Sequence, residues 1–392
     1  MAKLSIGIVG LPNVGKSTLF NALTKNSVPA ENYPFCTIDP SVGIVEVPDD
    51  RLHALAKMSE TKRVVPAVVE FVDIAGLVKG ASTGEGLGNK FLSHIRETDA
   101  ILEIVRIFED EKIMHVADKV DPLFDIEVIN FELIQADIET CKNRKMGIQK
   151  EVKRNIDTDK RFVQLDILLD RLIKNLEDNK LVSQMYEYDA KDNSQSKVIN
   201  FTEEEIKEIK MLNLITAKKF LYGLNKKSGG KNLDELENSV DKNPNDTRFA
   251  DLIKYLKENK FDYCIIDAKI EDELKDFEGE EKAMLRSELG GTNDDGIKTL
   301  ITSAYKTLGL ETYFTTGVEE TRGWTIKAGS TAPVAGQAIH TDFKERFIRA
   351  EVIGCADLLT CGGFAAAKVK GLLRTEGKEY IVKDGDVMEF KV

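Results

Sequence analysis

The chain has 392 residues, a hydrophobic fraction of 42% and a formal net charge of -12 at pH 7. This length favours two or three domains with a sizeable core. The negative charge argues against a protein that coats nucleic acid over its whole surface, although it leaves room for a local basic patch. The five cysteines are widely spaced and include no C-x-x-C pair, so neither a zinc ribbon nor a disulfide framework is predicted.

The sequence also bears on where the protein works. Its first residues lead directly into a strand-like run, which leaves no room for a signal peptide. No apolar run is long enough to span a bilayer, and free thiols suit a reducing compartment. We therefore expect a soluble cytoplasmic protein without a membrane partner.

A phosphate-binding loop is predicted near the start of the chain. Residues 10–17 read G-L-P-N-V-G-K-S, which matches G-x-x-x-x-G-K-[ST]. A strand-like run at 4–9 precedes this loop, and a helical pattern at 16–25 follows it. In that context the loop amides and the helix N-terminus bind phosphates, Lys16 adds positive charge and Ser17 is placed to hold Mg²⁺. The predicted nucleotide-binding residues of the loop are Asn13, Val14, Gly15, Lys16, Ser17 and Thr18.

Further strands at 42–47, 66–73 and 100–108 and a helix at 89–98 predict a doubly wound, mostly parallel sheet. Asp73 ends one of these strands, where a Walker-B aspartate would hold Mg²⁺ through water. Thr37, in a proline-rich loop, is the third candidate Mg²⁺ ligand. The alternative for Thr37, an ordinary loop threonine, stays open.

A helical arm is predicted next, because residues 126–180 are highly charged and carry apolar seams at helical spacing. A break around 155–159 favours an antiparallel coiled-coil hairpin, inserted between the fourth and fifth strands of the nucleotide-binding sheet. Basic residues outnumber acidic ones between Lys142 and Lys174. The arm is therefore either an RNA-facing surface or a solvated coiled-coil face.

Strand-like sequence returns at 220–224 and 263–266, and short strand-like pieces separated by turns begin near Leu310. The expected fold is α/β with three parts. These are a nucleotide-binding domain at 1–125 and 213–304, the helical arm at 126–212, and a small β-rich domain at 305–392.

The residues that contact the base are predicted at two strand ends. GTPases read guanine with N-K-x-D, whose carboxylate accepts two guanine donors, but this chain has Asn225-Lys226-Lys227-Ser228. Serine cannot accept both donors, so a strict preference for GTP is not expected. The predicted base contacts are Asn225, Lys226, Asp267 and Ala268.

The catalytic group is predicted less directly. Leu77 follows Asp-x-x-Gly, where Ras-like enzymes place a glutamine that orients the attacking water. His115, in an acidic loop, is a candidate to orient that water or take its proton, and a solvated loop histidine is the alternative. Lys16 and His115 are thus the predicted catalytic residues. Asn13 is also a candidate to help bind K⁺ near the phosphates.

Several segments resemble the YchF (EngD) family of Obg-like ATPases, P-loop nucleotidases of the TRAFAC class. The resemblance spans essentially the whole chain and is weakest across the helical arm. The segments that carry it are 10–24, 32–40, 72–78, 84–92, 96–100 and 376–388.

This resemblance implies a G domain that prefers ATP, a C-terminal TGS domain of β-grasp type, and association with ribosomes through the arm and the TGS domain. It also implies a hydrophobic residue at Leu77 and a catalytic histidine at His115. The family usually shows N-x-x-E where this chain has Asn225 to Ser228, and a literal N-x-x-E occurs only at 232–235.

Three hypotheses follow from the sequence. The leading one is a slow, Mg²⁺-dependent ATPase that binds ribosomes and RNA and is a monomer. The second is a GTPase of the wider Obg class, and the third is a non-catalytic scaffold that binds nucleotide only to set the orientation of the arm.

Overall fold

The computed structural model describes residues 4–25, 41–74, 89–113, 119–154, 160–185, 201–236, 246–277, 279–291 and 296–392. Within these ranges no helix is both long enough and apolar enough to cross a membrane. The elements of the first half are β1 (Ser5–Val9), α1 (Lys16–Lys25), β2 (Val42–Glu46), α2 (Asp50–Met58), β3 (Arg63–Val65), β4 (Val68–Asp73), α3 (Asn89–Glu97), β5 (Ala100–Arg106), β6 (Phe108–Glu109), α4 (Pro122–Arg154) and α5 (Lys160–Glu177).

The second half begins with a short 3₁₀ turn at Val182–Met185 and continues through the end of the arm into the C-terminal domain. Its elements are α6 (Glu203–Leu212), β7 (Lys219–Asn225), β8 (Lys231–Asn232), α7 (Leu233–Leu236), α8 (Arg248–Glu258), β9 (Asp262–Ile266), α9 (Ala268–Glu273), α10 (Gly279–Glu288), α11 (Gly296–Thr307), β10 (Leu310–Thr315), β11 (Glu320–Lys327), α12 (Ala332–Gly336), α13 (Thr341–Glu345), β12 (Arg349–Gly354), α14 (Cys355–Cys361), α15 (Phe364–Val369), β13 (Arg374–Glu376) and β14 (Asp386–Lys391).

A six-stranded sheet forms the nucleotide-binding half, in the order β2-β4-β1-β5-β7-β9. Only β2 is antiparallel to its neighbour, and the other pairs are parallel, which confirms the predicted doubly wound sheet. Strand β5 is buried along its whole length, as expected for a central parallel strand. Because parallel strands end at the same edge, the loops after β1, β4, β7 and β9 meet there.

The arm is built from α4 and α5, which run antiparallel. Lys142 pairs with Glu177, and Lys145, three residues later on α4, pairs with the earlier residue Asp170 on α5. The residue numbers therefore run in opposite directions along the two helices. A capping box at Thr202 begins α6, which packs against α5. The apolar residues of α4 and α5 belong to the same core as those of the nucleotide-binding sheet. The predicted break at 155–159 lies outside the described residues.

The C-terminal domain has its own sheet, in the order β13-β12-β14-β10-β11-β3. Apolar clusters lie on both of its faces, and one of them includes Leu52 and Leu55 of α2. The domain also contains helices α12 to α15, which the sequence analysis did not predict.

The sixth strand of this sheet comes from the nucleotide-binding half of the chain. Strand β3 pairs in parallel with β11, with Arg63 opposite Glu320. Neither α2 nor β3 was predicted from the sequence. The division into 1–125 with 213–304, 126–212 and 305–392 stays a prediction, within which α2 and β3 pack on the C-terminal domain.

Candidate nucleotide-binding site

The P-loop connects β1 to α1 and has the backbone that its glycines permit. Gly10 and Gly15 have φ angles of 148° and 103°, a region that disfavours side chains. A Cβ on Gly10 would overlap the Ile104 carbonyl oxygen, and one on Gly15 would overlap the Asn225 amide. Asn13 also takes a left-handed φ of 63°. The two motif glycines therefore fit the loop for local steric reasons.

Lys16 lies at the first position of α1 and is only 6% exposed. Its ammonium donates to the carbonyl oxygen of Leu11 at 2.5 Å, within its own loop. Burial lowers the pKa of Lys16 to about 8, and the nearby negative charge of Asp73 partly opposes this shift. The site therefore holds a cation whose charge is poorly solvated, which favours binding of a phosphate anion.

The predicted Mg²⁺ ligands are only partly within the described structure. Ser17 follows Lys16 on the first turn of α1, and its side chain is exposed. Asp73 ends β4, and its Cα pairs with that of Ile8 on β1, beside the P-loop. A hydroxyl and a carboxylate are hard oxygen donors that suit Mg²⁺. Thr37 and Leu77 lie outside the described residues.

Asn225 joins the P-loop to the end of the sheet. It ends β7 and is 3% exposed. Its amide nitrogen donates to the carbonyl oxygen of Val14 at 2.7 Å, and its amide oxygen accepts from the Ala268 backbone at 3.0 Å. One side chain therefore fixes the loops after β1, β7 and β9 together. This brings the predicted base-contact residues next to the predicted phosphate loop.

Asp267 holds the second base loop in place. It is the N-cap of α9, where one carboxylate oxygen accepts from the backbone of Lys269 at 3.2 Å and of Ile270 at 3.1 Å. The other oxygen accepts from the backbone of Ser228 at 2.6 Å. The Asp267 carboxylate of the β9 loop thus contacts Ser228, which occupies the position of the aspartate in N-K-x-D.

The segment after Asn225 forms a closed loop that the sequence did not reveal. Asn232, which is 1% exposed, accepts from the Lys227 backbone and donates to the Lys227 carbonyl, both at 2.8 Å. The Asn232 amide also donates to Glu235 at 3.2 Å, and Glu235 lies 4.0 Å from the Lys226 ammonium. The literal N-x-x-E at 232–235 therefore borders the base loop. Asn232, which closes this loop through its side-chain amide, is the residue that would have indicated the loop in the sequence.

His115 lies outside the described residues, but the chain that leads to it is ordered by Arg106. This fully buried guanidinium donates to the carbonyl oxygens of Phe108, Ile113 and Asp110, at 2.9, 3.1 and 3.2 Å. Burial lowers the pKa of Arg106. Asp110 also pairs with the Lys227 ammonium, which links this segment to the base loop. No sequence motif marks Arg106, because it lies within an apolar strand.

The sequence is similar to curated proteins over nearly its whole length. A protein named ribosome-binding ATPase YchF from Bacillus subtilis (strain 168) is 47% identical over 388 residues, which cover 99% of this chain and 99% of that protein. The protein of the same name from Haemophilus influenzae is 44% identical over 386 residues, which cover 98% of this chain and 98% of that protein.

Structure and family comparisons agree with that similarity. A solved structure described as the YchF GTPase of Schizosaccharomyces pombe matches with a TM-score of 0.83 at 34% identity, covering 99% of this chain and 98% of the other. The family model described as 50S ribosome-binding GTPase matches residues 5–132. The model for the C-terminal domain of YchF GTPases, described as a protein of unknown function, matches residues 310–392.

Proposed function

Because this chain belongs to the YchF family, we propose that it hydrolyses ATP to ADP and phosphate and acts as a ribosome-associated nucleotide switch. The chain is a P-loop NTPase, and ATP is its proposed substrate. The observation that carries the proposal is the match over 99% of the chain to a relative named ribosome-binding ATPase. The arrangement of the P-loop, Asp73 and Asn225 at one sheet edge supports it.

Each residue has a proposed role in nucleotide binding. The backbone amides of 13–18 bind the phosphates, and the Lys16 ammonium leaves the Leu11 carbonyl to contact the outer phosphates. Ser17 and Asp73, with Thr37, hold Mg²⁺, which neutralises charge on the phosphate oxygens when it is bound. His115 orients the attacking water, and Asn13 helps bind K⁺.

The choice of base is the finer part of the proposal. Position 228 has no carboxylate to accept two guanine donors, which favours ATP. A GTPase is the second candidate, because the Schizosaccharomyces pombe relative is described as one. Titration with each nucleotide and Mg²⁺ separates them: we expect tighter binding of ATP, and GTP binding tighter by about tenfold would refute this choice.

The low pKa of Lys16 gives a test of its role. The ammonium of the free protein loses its proton as the pH rises through about 8, so we expect ATP affinity to fall through that range. Lys16→Met should bind ATP weakly and without this pH dependence. Fluorescence titration of both proteins across that pH range measures the difference, and a flat profile for wild type would exclude the charge of Lys16 from binding.

We propose that ribosomal RNA contacts two regions, the arm and the C-terminal domain. Within the arm, four basic side chains already pair with acidic ones: Lys142 with Glu177, Lys145 with Asp170, Arg161 with Glu208 and Arg171 with Glu205. Such pairs leave less charge for phosphates. The side chains of Lys150, Lys153, Arg154 and Lys160 lie outside the described structure.

The C-terminal domain offers a more available surface. Within residues 368–378, we call the exposed side chains of Lys368, Val369, Lys370, Leu372 and Lys378 the basic edge, by their position in the chain. Val369 is 89% exposed, and the three ammoniums form no ion pair with any residue that the structure describes. Because the protein as a whole is acidic, RNA must be met by a local basic surface of this kind.

Ribosome co-sedimentation tests the two regions separately. Changing the three lysines of the basic edge to Gln should weaken ribosome binding and reduce its salt dependence. Changing the paired Lys142 and Lys145 to Gln should have a smaller effect. Binding that survives reversal of Lys153, Arg154, Lys160 and Arg161 to Glu would remove the arm as the main contact. Equal binding by all variants would refute both surfaces.

A further inference from the structure

Two loops flank the side of the site where the base is expected, and the carboxylate lies in the loop after β9 instead of the loop after β7. Ser228 occupies the position at which N-K-x-D supplies its aspartate, and the neighbouring strand supplies Asp267 instead. The Ser228 amide donates to this carboxylate at 2.6 Å. Asn225 clamps both loops to the P-loop, so the position of the Asp267 carboxylate is fixed relative to the phosphates.

The hydrogen bonds of Asp267 leave one acceptor position open. A carboxylate has about four lone-pair positions. Three of them accept backbone N–H groups, from Lys269, Ile270 and Ser228. Asp267 is 9% exposed and Ser228 is half-buried, so neither side chain is fully enclosed by the protein.

One open acceptor beside a hydroxyl matches adenine better than guanine. The reading edge of adenine offers one donor group, the N6 amino group, and one acceptor, N1. Guanine offers two adjacent donors, N1–H and the N2 amino group, which need a carboxylate with both oxygens free. The Ser228 hydroxyl donates or accepts as required.

We propose that Asp267 is the residue that reads the base, accepting from the adenine N6 amino group while Ser228 faces N1. This inference rests on the proposed ATPase function and names the group that sets its specificity. It assigns the reading carboxylate to the β9 loop rather than to the loop after β7. Glu235, 4.0 Å from Lys226, is the rival carboxylate.

The test is a binding cycle between one protein group and one ligand group. The ligands are ADP and purine riboside 5′-diphosphate, which lacks the N6 amino group, and neither is hydrolysed. Asp267→Ser keeps an N-cap oxygen but is too short to hold the same position. We expect this variant to bind ADP about tenfold or more weakly than wild type. Its affinity for the purine analogue should fall much less, by only the share that comes from losing the loop contact to Ser228.

Three further variants make the outcome decisive. Asp267→Asn should show the same larger loss for ADP than for the purine analogue if Asp267→Ser folds poorly. Glu235→Gln is the matched control that should leave both ligands unaffected. Moving the carboxylate back, with Ser228→Asp and Asp267→Ser together, should raise GDP affinity relative to ADP by about tenfold.

Equal losses of both ligands in the Asp267 variants would mean a purely structural role and would overturn the inference. The inference would also be overturned if Glu235→Gln, and not the Asp267 variants, lost affinity for ADP more than for the purine analogue. If wild type binds GDP more tightly than ADP, the proposed ATPase function fails as well. If wild type prefers ADP but no cycle appears, only the assignment of Asp267 fails.

Discussion

The helical arm and the C-terminal domain are attached to the nucleotide-binding sheet in different ways. The arm continues the core of that sheet, since Leu133 of α4 and Leu169 of α5 belong to one cluster with the sheet residues. The C-terminal domain has separate clusters and is joined by α2 and β3, which lie in the chain between β2 and β4. The arm is thus part of the nucleotide domain in packing, although it is an insertion in sequence.

The two junctions also differ in chemistry. Where α4 of the arm packs on the nucleotide-binding sheet, β5 carries a buried carboxyl, Glu103, which is 1% exposed. At the C-terminal junction the polar contacts include a chain of hydroxyls, in which Thr61 bonds to Thr321 and Thr316 bonds to both Thr321 and Ser59. A carboxyl titrates within the accessible pH range and a threonine hydroxyl does not. The contribution of Glu103 to stability should therefore depend on pH, whereas that of the hydroxyl chain should not.

The largest expected effect comes from one buried leucine in each region, Leu55 of α2 beside the C-terminal sheet and Leu169 of α5 within the arm. Leu55→Ala and Leu169→Ala each remove a fully buried side chain and should cost about 2–5 kcal/mol of stability. Leu55→Ala should increase hydrogen exchange in β3, β10 and β11. Leu169→Ala should increase it in α4 and α5. Hydrogen-exchange mass spectrometry of the full chain measures both patterns.

Leu55→Met and Leu169→Met, which nearly conserve volume, are the controls and should cost less than about 1.5 kcal/mol. If Leu55→Ala loosened the arm as much as the C-terminal sheet, the two junctions would belong to one cooperative unit, and the contrast between them would be wrong.

Features that lie in one short stretch of sequence were predictable, and contacts between distant parts of the chain were not. The P-loop, Asp73 and Asn225 were predictable because each belongs to a short motif at a strand end. Strand β3 was not, because three residues form it and its partner Glu320 lies far away in the chain. The contact between Asp267 and Ser228 depends on how β7 and β9 align, which a single sequence does not specify.

A medium effect is expected for the hydroxyl chain. Thr61 donates to the Gly317 carbonyl at 2.6 Å and contacts Thr321, which is fully buried. Thr61→Val removes the donor to that carbonyl and the contact with the hydroxyl chain, and should cost about 1–2 kcal/mol. The exposed Thr302→Val, whose hydroxyl bonds only within its own helix, is the control and should be nearly neutral. Thermal unfolding at two pH values checks both the size of the loss and its expected independence of pH.

The smallest effect, and the one that depends on pH, is expected at Glu103. Burial raises the pKa of this carboxyl well above 4.5, and the negative charge of Asp125 on α4 raises it further. The buried phenols of Tyr222 on β7 and Tyr255 on α8 also face it. Below pH 4.5 both the folded and the unfolded states keep the proton, so stability does not change with pH through Glu103 there.

As the pH rises above 4.5, the unfolded chain releases this proton before the folded one does, so the fold loses stability until the folded pKa is passed. Glu103→Gln cannot titrate and should be the more stable protein at pH 8, by about 1–2 °C in Tm, with the gap closing toward pH 4.5. Glu139→Gln, an exposed carboxyl of α4, is the control and should show no such gap. A gap that stays constant with pH would mean that Gln stabilises by packing alone, and Glu103 would then be no more sensitive to pH than the hydroxyl chain.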